Sequence, residues 1–167
     1  RVRGEKDTEL LLTVLREGLS EPLIVSVIRG QIPTYSVDGY FMVTEETGYI
    51  RVSRFMRTTV PEFEEALKSL KKDGMENLIL DLRGNTGGYL KSAVQLADHF
   101  LGKGKIIVYT EGVNSSRIDY TTTGKGQFKK GKLVVLINER SASASEIVTG
   151  AIQDWDRGLV IGSRSFG

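Results

Sequence analysis

Leu78-Ile79-Leu80-Asp81-Leu82-Arg83-Gly84-Asn85-Thr86-Gly87-Gly88 runs straight into Tyr89-Leu90-Lys91-Ser92-Ala93-Val94. The near-continuous apolar run from Leu78 to Leu82 predicts a buried strand, because a strand with one wet face would alternate. From Tyr89 the apolar positions Leu90, Ala93, Val94, Ala97 and Phe100 recur at threes and fours, which predicts a helix ending near Leu101. The three glycines between strand and helix allow the backbone to turn its N–H groups toward an anion or a developing oxyanion. They equally suit an ordinary tight turn, and the loop alone does not separate the two readings. It lacks the Gly-Lys-Ser/Thr ending of a phosphate-binding Walker loop.

The same grammar extends outward in both directions. Downstream, Lys105 to Tyr109 reads as a strand, Thr110 to Lys130 as a polar excursion, and Leu133 to Ile137 as another buried strand. A helix over 143–156 and a short strand over 159–161 follow. Upstream, Phe63, Ala66, Leu67 and Leu70 mark a helix that opens at Pro61 and stops at Asp73-Gly74. Before it, Tyr40 to Thr44 and Tyr49 to Ser53 flank a polar turn as a hairpin. Strands over 10–14 and 23–28 come first, and the apolar pattern lapses between Arg29 and Asp38. Strands alternating with helices define an α/β fold class, a parallel sheet covered by helices. Consecutive right-handed crossovers end their strands at one edge, so the loops Arg83–Gly88, Asn138–Ser143 and the segment from Ser163 should meet there.

Composition narrows the chemistry. The 167 residues suit about one domain, and 23 Lys+Arg against 21 Asp+Glu leave a net charge of +2, too small to argue for nucleic acid by charge. The absence of cysteine excludes disulfides, thiol nucleophiles and cysteine-zinc sites, and a single histidine, His99, argues against a histidine-rich metal site. No apolar run approaches the ~20 residues of a membrane span, so the chain reads as soluble.

The loop Ser141-Ala142-Ser143-Ala144-Ser145-Glu146 carries the other candidate chemistry. Ser143 with Glu146 three residues on is a capping box, which would make Ser143 a helix cap. A serine at a helix start is also well placed as a nucleophile, because the next N–H and the positive helix end can hold an oxyanion. Both readings stay open locally. Among the lysines, Lys68, Lys71 and Lys72 fall on a polar helix face and Lys125, Lys129, Lys130 and Lys132 in the excursion, so none suits a buried base. His99, near a helix end that favours a cation, reads as structural or as a surface residue.

Four stretches together carry a family resemblance: Gly48-Tyr49-Ile50-Arg51-Val52-Ser53, Leu80 to Gly88, Ser141 to Ile147, and Gly162-Ser163-Arg164-Ser165-Phe166-Gly167. In order and in kind they resemble the carboxyl-terminal processing peptidases, the tail-specific serine proteases of family S41. The resemblance implies a ClpP/crotonase-like core over 40–167, a linker and connecting strand over 19–39, and the last strands of a PDZ-like domain over 1–18. In that last part Lys6-Asp7-Thr8 stands where the family usually has a glycine before threonine. It further implies Ser143 as nucleophile with Ser141 and Ser145 in support. The N–H groups of Ala144 and Gly88 would form the oxyanion hole, with Gly87 the neighbouring alternative to Gly88. In the family a lysine after the Phe-Gly pair is the general base, with a glutamine four residues beyond, so both are expected past Gly167 and residues 1–167 alone are expected to be inactive. No cofactor or metal is implied, the partners are protein or peptide C-terminal tails, and the family points to the bacterial periplasm or cell envelope. A non-catalytic binding module on the same fold, and a Ser-His hydrolase using His99, are the alternatives.

Overall fold

The computed structural model describes residues 2–167 and resolves them into two units, one running to Thr34 and the other spanning Tyr35–Gly167. The first is an antiparallel hairpin of β1 (Glu9–Val14) and β2 (Leu23–Ile28), with Leu10 opposite Val27 and Leu12 opposite Val25. The segments over 1–18 and 19–39 thus contribute one strand each to a single hairpin.

The second unit holds β3 (Val37–Met42), β4 (Thr47–Val52), α1 (Thr59–Lys72), β5 (Asn77–Asp81), α2 (Leu90–Asp98), β6 (Ile106–Gly112), β7 (Ser115–Thr121), β8 (Leu133–Ile137), α3 (Ala144–Asp154) and β9 (Leu159–Gly162). Its main sheet has the order β3-β4-β5-β8-β9, with β4, β5, β8 and β9 parallel and β3 antiparallel at one edge. Because the parallel strands advance in one direction, right-handed crossovers place all three helices on one face, where α2 packs between α1 and α3. Ile50, Val52, Leu78, Leu80 and Val135 point into that layer. They meet Phe63 and Leu67 of α1, Leu96 of α2 and Val148 and Ile152 of α3, and all are essentially inaccessible.

Three departures from the sequence reading have physical causes. Ile79 is only half-buried, as are Tyr49 and Val134 beside it in register, because helices cover one face of the sheet and not both. The strand after α2 does not join the parallel sheet: β6 pairs with β7 as a separate two-stranded arm, and β8 takes the place beside β5. Half of the polar excursion is therefore strand. Its polar side chains support each other, with Arg117 stacked 4.0 Å over Tyr109 and bonded to Asp119. The arm is tied to α3 through Trp155, whose Nε1 donates to the Ile106 carbonyl at 2.8 Å while the Lys105 ammonium lies 3.9 Å over its ring. Finally, β3 starts at Val37, inside the stretch read as a linker. Glu62 of α1 anchors it by accepting from the Ser36 N–H and hydroxyl and from the Val37 N–H.

Leu80 lies at 0% exposure in the middle strand. Leu80→Ala is expected to destabilise the second unit by about 2–5 kcal/mol, read as a lowered urea midpoint at unchanged slope.

Candidate functional site

A buried amide joins the end of β4 to two of the loops at the carboxyl edge of the sheet. Asn85 has no exposed surface. Its Nδ2 donates to the Val52 carbonyl at the end of β4 (2.8 Å), and its Oδ1 accepts from the Gly87 N–H (2.9 Å). Its own carbonyl accepts from the Ala142 N–H (3.0 Å) and the Ser145 hydroxyl (2.8 Å). Ser141 adds a second tie, donating to the Leu82 carbonyl (2.8 Å) and accepting from the Asn138 N–H (3.0 Å). The last segment closes on the same cluster, with the Phe166 N–H on the Ser141 carbonyl (3.0 Å).

These bonds separate three serines that look alike in sequence. Ser141 and Ser145 are fully buried and their hydroxyls are spent on backbone. Ser143 is exposed, and its backbone takes φ 53°, ψ −112°, a left-handed conformation that costs a residue with a Cβ of order 1–3 kcal/mol. Ser143 and Glu146 form a capping box: the Glu146 Oε2 accepts from the Ser143 N–H at 2.6 Å, and the Ser143 side chain faces the Glu146 N–H, which also donates to the Ser143 carbonyl (2.9 Å). Among the described residues the Ser143 hydroxyl donates to no protein group, unlike those of Ser141 and Ser145.

Glu146 also holds the final residue, its Oε1 accepting from the Gly167 N–H at 2.8 Å. Burial pushes its carboxyl up, but hydrogen bonds from Gly167, Ser165 and Ser143 outweigh that and hold it below the usual glutamate range.

The glycines are fixed by close approach. A Cβ on Gly88 would overlap the Phe55 carbonyl, and one on Gly87 would sit 2.8 Å from the Ser143 Cβ. The Phe55 N–H donates to the Gly87 carbonyl (2.9 Å), and the Phe55 carbonyl accepts from the Tyr89 N–H (3.0 Å). The Gly87 N–H is committed to Asn85, whereas among the described residues neither the Gly88 N–H nor the Ala144 N–H donates a hydrogen bond. Ser143 opens onto a cavity of about 810 Å³ lined with Thr86, Ala142, Phe166, Glu139, Arg140 and Glu146.

No lysine or histidine lines that cavity. His99 caps the far end of α2, roughly 13 Å along the helix from Leu90 at ~1.5 Å per residue. It is 5% exposed, lies against Phe63, and has Nε2 3.3 Å from Glu64. Burial depresses its pKa; Glu64 and Asp98 oppose that shift and Lys71 adds to it. The structure thus keeps an imidazole where the helix end alone would favour a cation.

Two groups at this edge had no role in the sequence reading. Asp81, 2% exposed, accepts from Tyr49 Oη (2.6 Å) and from the Arg83 Nη2 (2.7 Å), Nε and N–H, and these bonds hold it ionised against the penalty of burial. Asn85 was visible only as an asparagine between glycines, a turn signal that does not reveal burial. Among the described residues no group of three or more His, Asp or Glu could hold a metal ion.

A strained, exposed serine at a helix start, whose hydroxyl donates to no protein group and which lies near two unspent backbone donors, is suited to nucleophilic attack with the negative charge received by main-chain N–H groups. The chain belongs to peptidase family S41, whose family model matches residues 46–167. It is 38% identical over 167 residues to a protein of Staphylococcus aureus (strain N315) named "Probable CtpA-like serine protease", covering 99% of this chain and 33% of that protein. A carboxy-terminal-processing protease of Bartonella bacilliformis is 37% identical over 172 residues, covering 100% of this chain and 39% of its own length. The solved photosystem II D1 C-terminal processing protease superposes with a TM-score of 0.72 at 28% identity, over 98% of this chain and 46% of that one. The chain thus spans about a third of the length of these curated relatives.

Two outcomes follow from the site. The folded protein binds a proton at His99 more weakly than the unfolded chain does. His99 therefore contributes full stability above the ordinary histidine value of ~6.5 and loses it as pH falls toward the folded value, and His99→Gln should flatten that stretch of the stability-pH curve. Glu146→Ala should raise the exchange rates of the Ser143 and Gly167 amides about tenfold by mass spectrometry or NMR, as both lose their acceptor.

Proposed function

We propose that this chain belongs to the catalytic core of a serine endopeptidase of Ser-Lys type that cleaves protein substrates near their C-terminal tails. The observation that carries the reading is the contrast among the serines: Ser143 alone is exposed, with a hydroxyl that donates to no backbone carbonyl, on a strained turn at the start of α3. In this reading the Ser143 hydroxyl attacks the scissile carbonyl and the N–H groups of Ala144 and Gly88 receive the oxyanion. Gly87 serves by its lack of a side chain, its N–H being engaged by Asn85. Ser141 and Ser145 brace the loop.

The base is a lysine supplied from outside these residues, following Phe166-Gly167 as the family resemblance implies. Glu146, bonded at once to the Ser143 and Gly167 amides, ties the nucleophile to the segment leading there. A lysine works as a base only when neutral, so burial beside Phe166 would have to lower its pKa from the ordinary ~10.4. The core over 40–167 is read as ClpP/crotonase-like and residues 1–18 as the end of a PDZ-like domain. The reading includes the bacterial periplasm or cell envelope as its compartment, as the family resemblance implies. Among the described residues no helix is long and apolar enough to cross a membrane.

The test is a serine series in the full-length protein, assayed on a C-terminally tagged peptide. Ser143→Ala is expected to abolish turnover and to cost no more than about 1 kcal/mol of stability, the worth of a helix cap. Ser141→Ala and Ser145→Ala are expected to keep substantial activity and lose ~1 kcal/mol or more of stability, each leaving a buried backbone carbonyl short of a donor. Turnover surviving Ser143→Ala, or lost in Ser145→Ala alone, would overturn the assignment.

A further inference from the structure

Next to the Ser143 cavity lies a second one of about 330 Å³ at the same sheet edge, lined by Arg51, Arg83 and Arg140, with Asp81 as its one acid. Arg140 lines both cavities and forms the boundary between them. The three cations are not equivalent. Arg83 is committed to Asp81 through Nε and Nη2, and Asp81 is saturated by Arg83 and Tyr49. Arg51 has only a long approach to Asp38, at 3.7 Å with both side chains substantially exposed. Arg140 is held in place by its backbone N–H on Asn138 Oδ1 (3.2 Å), and among the described residues its guanidinium has no partner.

The neighbouring cavity has the opposite character. The Ser143 side carries Glu139, which accepts from the Ser163 hydroxyl at 3.1 Å, and Glu146. An anionic group on a bound peptide would be repelled on that side and attracted on the other. A guanidinium offers paired N–H donors matched to the two oxygens of a carboxylate, the anion an unmodified peptide presents.

We propose that Arg140, with Arg51 behind it, forms a carboxylate-binding subsite that selects and orients the peptide lying across Ser143. The inference rests on the reading of Ser143 as the nucleophile. The carboxylate can come from an acidic side chain near the scissile bond or from the peptide's own C-terminus, and both would use the same donors.

The experiment uses the full-length protein and two matched peptide pairs, one with Asp replaced by Asn beside the cleavage site, the other with a free C-terminal carboxyl replaced by the amide. Wild type, Arg140→Gln and Arg51→Gln are compared by kcat/KM at low and at physiological salt. Binding of the same peptides to Ser143→Ala, with and without Arg140→Gln, is read by fluorescence anisotropy. The expected result is a preference of about tenfold for one carboxylate peptide over its neutral partner, equivalent to ~1.4 kcal/mol. It should weaken with salt, be abolished in Arg140→Gln mainly through KM, and be reduced in Arg51→Gln. The pair that shows it identifies the source of the carboxylate. Unchanged melting of Arg140→Gln is expected, because its guanidinium supports nothing in the fold. Cleavage with no charge preference, or a preference that survives Arg140→Gln, overturns the subsite while the protease stands. Arg140-dependent binding of carboxylate peptides without cleavage of any peptide overturns the nucleophile and leaves the subsite.

Discussion

The carboxyl edge of the sheet depends on one buried amide. Asn85 joins β4, its own loop and the turn before α3 through side chain and carbonyl together. A buried polar group is costly unless satisfied, and here its satisfaction requires all of those elements to be in place at once. The loop after β5 cannot rearrange without stranding Asn85, and the turn before α3 cannot move without breaking the bonds that Ala142 and Ser145 make to it. The strained backbone of Ser143 persists because its neighbours on either side are held by this network and its own N–H by Glu146. Strain of that kind survives only where the surroundings over-determine it.

Close approach supplies the second constraint. Gly87 abuts the Ser143 turn and Gly88 abuts the Phe55 backbone, so the lack of a side chain at both positions is what lets the loop approach them this closely. The two donors left unspent, on Gly88 and Ala144, belong to the two segments that this close approach brings together.

Local periodicity made the central elements legible: β5 and β8 as apolar runs, α1 as an apolar stripe, and the convergence of three loops from the handedness of crossovers. Partnership was not legible. Nothing in Ile106 to Tyr109 says whether that strand enters the parallel sheet, and its alternation with a polar partner, β7, is masked because charged and hydroxyl side chains pair along the arm. The one-sided helix layer was likewise invisible, since Ile79 is as apolar as Leu78 and Leu80. At the site, Ser141, Ser143 and Ser145 alternate with alanine and no local property ranks them; burial and hydrogen bonding do. Asn85 and Arg140 lay in quoted stretches without roles, because their significance is a matter of which groups lie across space.

The attachment of the β6–β7 arm has a practical consequence. Trp155, the only tryptophan in the chain, does not report on the helix-sheet core: it is 40% exposed, with its ring under Lys105 and its N–H on the Ile106 carbonyl. Intrinsic tryptophan emission is therefore a local probe of the seam between the arm and α3, blind to the packing around Leu80. A cationic quencher would be turned away by Lys105, whereas iodide would be drawn to it. The emission thus gives a view of arm detachment that circular dichroism, dominated by the helices, does not contain.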